Sequence, residues 1–247
     1  MSHTTALKSH RLHRSLGAAG LAATLLLGAC AESAPFSYYT LVGPVAAAPA
    51  TPIPLGTARA PVLIEVMPTN VPQQVQRPQL VLTTGGGQVK FLEQQRWSQP
   101  VADEISQALS QDLTRSLPAI DVYRSTHADT QAVYRIALNV QRFDSVPGSR
   151  ATLDAVWSVT LNPRGVAMTC HTTVNQPVAA GGLSDGGTDY TALVLAHRQA
   201  IQQLAGQIGI AIGTLGRLSG SAMTATPASG ATAGVTPGPV IACPTAS

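Results

Sequence analysis

Cys30 carries the clearest chemistry in this 247-residue chain. Its thiol follows Leu27-Gly28-Ala29, and the small Gly28 and Ala29 let a narrow peptidase site approach the bond before it. The thiol is a nucleophile that can take a thioether-linked diacylglycerol before that bond is cut. Lys8, Arg11 and Arg14 supply a basic start, and Leu16 to Leu27 an apolar run too short to span a hydrocarbon core of roughly 30 Å. Residues 1–29 therefore read as an export signal and 30–35 as a lipidated N-terminus. Several acyl chains, at about 0.8 kcal/mol per buried CH₂, would hold a folded domain on a bilayer.

Other candidate chemistry is sparse. The histidines after Cys30 are His127, His171 and His197. His127 lies in a polar turn, His171 on the wet side of a strand, and His197 interrupts an apolar helical stripe, where a bond to a neighbouring carbonyl is expected. A catalytic base at His171 or His197 would need a serine or cysteine within about 3 Å. No HExxH, GxSxG or nucleotide-binding loop occurs, and Gly85-Gly86-Gly87 lacks the residues that turn a glycine run into a phosphate cradle. Neither a metal site nor a cofactor site is predicted, and the chain reads as non-enzymatic. Cys170 and Cys243 could pair in an oxidising compartment, a point that spacing leaves open.

The charge balance excludes one partner class. The whole chain carries +3, but residues 1–29 hold three basic and no acidic residues, leaving twelve Lys plus Arg against twelve Asp plus Glu. With no basic block either, nucleic-acid binding is not expected.

Periodicity defines the elements that must position these groups. Ser37-Tyr38-Tyr39-Thr40-Leu41 reads as an edge strand, and Val62 to Met67 as a strand bounded by Pro61 and Pro68. Leu80-Val81-Leu82 and Val89 to Leu92 flank the glycine turn. Trp97, Val101, Ile105, Leu109, Leu113 and Leu117 recur every four residues and predict a helix over about 99–117 with Asp103, Glu104 and Gln107 on its polar surface. Three alternating strands follow, through Tyr134–Val140, Leu153–Leu161 and Val166–Val174, an antiparallel meander with one wet face. Tyr190 to Leu215 predicts a second helix, capped by Thr188 or Asp189 and ended by Gly216. The fold class is thus α/β, a single domain with a mixed sheet whose antiparallel meander packs against two long helices. It spans 36–216, with a flexible linker over about 42–60 and a low-complexity, disordered tail over 217–247.

Several segments, in order behind a lipobox like that of bacterial lipoproteins, resemble the ABC-type transport auxiliary lipoprotein family, whose PqiC-like branch serves intermembrane transport systems containing MCE-domain proteins. They are Tyr38-Tyr39-Thr40-Leu41, Val75-Gln76-Arg77-Pro78-Gln79-Leu80-Val81, Gln95-Arg96-Trp97-Ser98-Gln99-Pro100-Val101, Arg142-Phe143-Asp144 and Ala155-Val156-Trp157. The resemblance covers roughly 36–215; the insert at 83–88, the Ala/Pro linker and the long tail depart from it. It implies a lipid-anchored accessory component, as a single chain or a homo-oligomer, that docks an MCE-domain protein at the outer membrane and helps move phospholipid or another apolar cargo. Ala31 after the cysteine also resembles outer-membrane sorting, with inner-membrane anchoring the alternative. Arg77, Gln79 and Arg96 are the candidate contact residues; a structural role, with guanidinium donors clamping loop carbonyls, stays open for Arg77. A lipoprotein that links envelope components without conducting lipid is the alternative function, and an envelope hydrolase a third.

Overall fold

A computed structural model of the chain describes residues 35–43, 61–178, 183–184, 187–188, 190–224 and 242–244. The export signal, Cys30 and residues 44–60 lie outside the described residues. In chain order the elements are β1 (Ser37–Tyr39), β2 (Val62–Val66), β3 (Gln79–Thr83), β4 (Val89–Trp97), α1 (Val101–Ser116), β5 (Ala119–Asp121), β6 (Val133–Val146), β7 (Arg150–Asn162), β8 (Val166–Pro177), β9 (Leu183–Ser184), β10 (Gly187–Thr188) and α2 (Thr191–Thr224).

Alternation over β6, β7 and β8 builds the frame. These strands form the expected antiparallel meander in a five-stranded sheet of order β5-β2-β6-β7-β8, and β2 runs parallel to both β5 and β6. Leu138, Trp157 and Cys170 lie side by side across it, as do Val140, Ala155 and Thr172. This inner face packs against α2, whose Ile201, Leu204, Ile208, Ile212 and Leu215 are all buried. Each such side chain contributes about 1.5–3 kcal/mol by leaving water. A polar link pins helix to sheet: Trp157 Nε1 donates to Thr172 Oγ1 (2.9 Å), which donates to Gln207 Oε1 (2.7 Å). The other face carries the solvated pairs Arg135–Glu65 and Arg142–Asp144.

A second sheet, of order β1-β4-β3, meets β6 through β3 and takes the N-terminal segment. β1 is its parallel edge, with Tyr38 opposite Arg96, and β3 and β4 form the hairpin expected around the glycine turn, where Gly86 and Gly87 have φ of 73° and 78°. α1 packs against α2 with Val101, Ile105, Leu109 and Leu113 buried.

Several expectations are corrected. Gly216 does not end the second helix, which continues to Thr224 and makes the first residues of the supposed tail helical. Its missing Cβ has another use: an added methyl would lie 2.9 Å from the Tyr134 hydroxyl. Thr188 sits in β10 and is not the cap, while Asp189 lies outside the described residues. Farther along, the tail returns to the body, since Cys243 forms a disulfide with Cys170 of β8. Val42 and Gly43, read as the start of the linker, are fixed: Val42 O accepts from Arg198 Nη2 (2.9 Å) and Gly43 N–H donates to Gln111 Oε1 (3.4 Å).

Glu104 is the largest departure from the surface reading. It is 0% exposed. Its carboxylate accepts from Thr40 Oγ1 (2.7 Å), Leu41 N (2.6 Å) and Ser98 Oγ (2.6 Å), which satisfies a buried charge and ties β1 to the first turn of α1.

Candidate functional site

The segment before β3 is irregular because Pro72 and Pro78 remove donors and fix φ. Its carbonyls are taken up locally: Gln76 Nε2 donates to Val71 O (2.9 Å), and Trp97 N–H donates to Pro78 O (2.7 Å). Those bonds hold the loop while the Arg77 guanidinium projects over the Phe91 ring, 4.5 Å from its centroid. Arg96 lies over Phe36 at 4.4 Å, and its Nε donates to Glu93 O (3.0 Å). Gln79 pairs in register with Arg96 and donates from Nε2 to Glu93 Oε2 (3.2 Å).

Folding brings two of the three candidates to one place. Arg77 and Arg96 line a cleft of about 530 Å³ together with Tyr38, Val71, Trp97 and Val101. Gln79 sits beside this cleft rather than in its wall. No Asp or Glu lines the cleft, and among the described residues neither guanidinium is within ion-pair distance of a carboxylate. Two cations, each over an aromatic ring, thus share a partly apolar hollow, an arrangement suited to holding an anionic or amphiphilic group. Another hollow of about 530 Å³ lies along α1 and β5, where the α1 hydroxyls are engaged: Ser110 donates to Asp121 Oδ2, Ser106 Oγ to Thr69 Oγ1 (2.9 Å) and Thr114 Oγ1 to Ser110 O (2.8 Å).

The histidines take three different positions. His127 Nδ1 lies 3.4 Å from Ser125 O within its turn. His171, on the wet face as expected, has Nε2 2.7 Å from Asp154 Oδ1, and Thr173 donates to the same carboxylate (3.2 Å). His197 differs from expectation in its partner, which is a hydroxyl and not a carbonyl: Nε2 lies 2.8 Å from Ser145 Oγ.

Ser145 and His197 have the separation a hydrolase would need, so their surroundings decide what they do. Both are buried between α2 and the sheet, with exposures of 5% and 1%. The His197 ring stacks on Phe143 at 3.9 Å, and Phe143 meets Trp97 edge-on at 6.2 Å. Nδ1 has no hydrogen-bond partner among the described residues, so the acid that orients a catalytic imidazole has no counterpart. Burial pushes the ring's pKa down to about 3, which disfavours the imidazolium that general-base catalysis must form. The pair joins helix to sheet.

Residues that periodicity alone passed over complete the region. Arg198 of α2 donates from Nε to Leu41 O (3.2 Å) as well as to Val42 O, so Glu104 and Arg198 grip the N-terminal segment from two helices. Glu104 had a signal: it falls on the stripe that joins Val101 to Ala108. Arg198 follows the buried His197 and had none.

These features define an α/β body whose apolar core seals in the Ser145–His197 pair, with an arginine-bearing cleft beside its N-terminal strand. Residues 39–209 match the model of the ABC-type transport auxiliary lipoprotein component, and the chain belongs to that family. No curated protein matches it. Among solved structures, an uncharacterized protein is similar at 17% identity and TM-score 0.53, over 72% of this chain and 99% of its own. A Xanthomonas campestris protein of the DUF330 family is similar at 17% identity and TM-score 0.51, over 76% and 100%. Both likenesses concern the fold. The family is one of transport auxiliary lipoproteins and not an enzyme family, and it implies envelope localisation. No helix among the described residues is long and apolar enough to cross a membrane.

Proposed function

We propose that this protein is a non-enzymatic, lipid-anchored accessory component of an MCE/ABC-type intermembrane lipid transport system, exported and acylated at Cys30 and docking that system at the outer membrane. The observation that carries the reading is the open cleft: Arg77 and Arg96 present guanidinium groups free of carboxylates, while the loop around Arg77 is held by other donors. That favours contact over loop clamping for Arg77. Gln79 and Glu93 brace the rim.

The anchor adds proximity. Only residues 31–35 separate Cys30 from Phe36, because Thr40 to Gly43 are gripped by Glu104, Arg198 and Gln111; the 42–60 stretch follows that grip and adds no reach. An extended chain of that length spans about 20 Å at most. Confinement to such a layer raises the effective concentration for a membrane-bound partner, so modest contacts suffice. ATP hydrolysis and permeation belong to other chains.

The test is a labelled-phospholipid export assay in cells carrying Cys30→Ser, with co-purification of the MCE-domain protein. Loss of export with the protein still folded supports the reading. Full export from the untethered form refutes it, and retained co-purification without any lipid phenotype favours the purely structural envelope role.

A further inference from the structure

We infer that the β1 edge is the face this protein turns to its own bilayer, and that the Arg77–Arg96 cleft seats the phosphate of a phospholipid headgroup there. The inference rests on the anchoring reading above and adds an orientation and a ligand to it.

The chain geometry supplies the first step. Phe36 and Tyr38 are the first large side chains after Cys30, and they are 54% and 64% exposed. They face each other at 6.5 Å between centroids on an edge strand that β4 fixes in register. A tether of about 20 Å at most keeps that strand within reach of the headgroup layer, whereas the far end of the domain has no such constraint. Aromatic rings with a polar rim are favoured at that depth.

Chemistry supplies the second step. Arg96 sits over Phe36, and Arg77 stands across the same cleft as Tyr38, so two cations lie just behind the aromatic edge. Guanidinium groups match phosphate oxygens in paired hydrogen bonds, and no carboxylate in the cleft competes for them. Val71, Pro78, Trp97 and Val101 give the same cleft apolar lining, which suits the glycerol and first methylenes beyond a phosphate. A protein partner could use the same groups, but it would not be brought to this edge by the length of the anchor.

The experiment uses the full chain produced by export and reconstituted through its N-terminus into phosphatidylcholine vesicles with or without phosphatidylglycerol. Backbone hydrogen exchange is read by mass spectrometry together with the mass of the N-terminal peptide. Exchange at 36–40, 76–79 and 95–98 is expected to slow on the phosphatidylglycerol vesicles. Arg77→Gln with Arg96→Gln should lose up to about 30-fold of that protection, the share of two surface cations. Arg77→Lys with Arg96→Lys keeps the charge but not the paired hydrogen bonds, so its protection should fall between wild type and the glutamine variant, and glycerol phosphate in solution should not reproduce the slowing.

An acylated, vesicle-bound protein that shows no slowing at these segments overturns the inference. So does slowing around the exposed Ile210 and Leu218 of α2 instead, slowing by glycerol phosphate alone, or slowing only when an MCE-domain protein is added. An N-terminal peptide without acyl mass sinks the anchoring reading separately. The unacylated chain must then still float with phosphatidylglycerol vesicles and lose that on replacement of both arginines, or the cleft assignment falls too.

Discussion

His197 gives the sharpest prediction about the core. Its folded pKa is pushed down to about 3 by burial, against an ordinary value of 6.5. In the folded state the ring therefore stays neutral while the unfolded chain takes up a proton below pH 6.5. The unfolded state binds more protons, so stability rises with pH: the contribution is complete above 6.5 and is lost, at about 1.4 kcal/mol per pH unit, as pH falls toward the folded value. Between about pH 7 and about pH 5 this amounts to about 2 kcal/mol. Replacing both polar partners, His197→Leu with Ser145→Ala, removes the titrating group without stranding the hydroxyl. Urea denaturation of the two proteins at both pH values isolates the difference, since all other titrating groups are shared. Wild type should lose about 2 kcal/mol more than the double variant on acidification. Equal losses would refute the reasoning. An imidazole found to titrate near 6.5 would do so more seriously, because a solvated His197 beside Ser145 would reopen the hydrolase reading.

Three further outcomes are expected. Glu104→Ala takes the acceptor from Leu41 N–H and Ser98 Oγ and leaves Thr40 Oγ1 only Val42 O, and should cost about 3 kcal/mol in denaturant stability, with faster exchange at Tyr39 to Val42 than in the meander. Reducing the Cys170–Cys243 bridge, which spans 73 positions, should lower stability by about 2–4 kcal/mol in a thermal or urea melt, with Cys243→Ser giving the same loss. Gly216→Ala gains up to about 1 kcal/mol of helix propensity but brings its methyl to 2.9 Å from the Tyr134 hydroxyl, so the substitution should be more favourable in a Tyr134→Phe background than in wild type, a coupling that a double-mutant cycle measures directly.

The sheet was legible where one face is wet. Ile136, Leu138 and Val140 are buried and Tyr134 half-buried, as period two requires; the bulge after Val140 that turns Phe143 and Ser145 inward carries no such mark. Helix α1 was equally plain, yet its stripe was read through its apolar members alone. Glu104 and Asp112 occupy the same stripe, and burial raises the Asp112 carboxyl above its ordinary range despite Arg115 beside it. Asp112 finds Arg115 one turn on, but the donors that make the burial of Glu104 tolerable come from Thr40, Leu41 and Ser98, far away in sequence or across a turn, and local pattern does not contain them. Gly216 shows the same limit: a glycine near a helix end reads as a stop, whereas here it clears space for a tyrosine on β6. Arg77 and Arg96 were picked out by resemblance, and only the antiparallel β3–β4 pairing explains why they share a cleft.

The most direct measurement is the intact mass of the mature protein recovered from the membrane fraction of cells that export it. Anchoring at Cys30 predicts a chain beginning at that residue and carrying acyl chains on its thiol and amine. A free thiol at position 30, or a chain beginning at any of the residues after it, would contradict the proposal that this domain works from a lipid anchor beside its β1 edge.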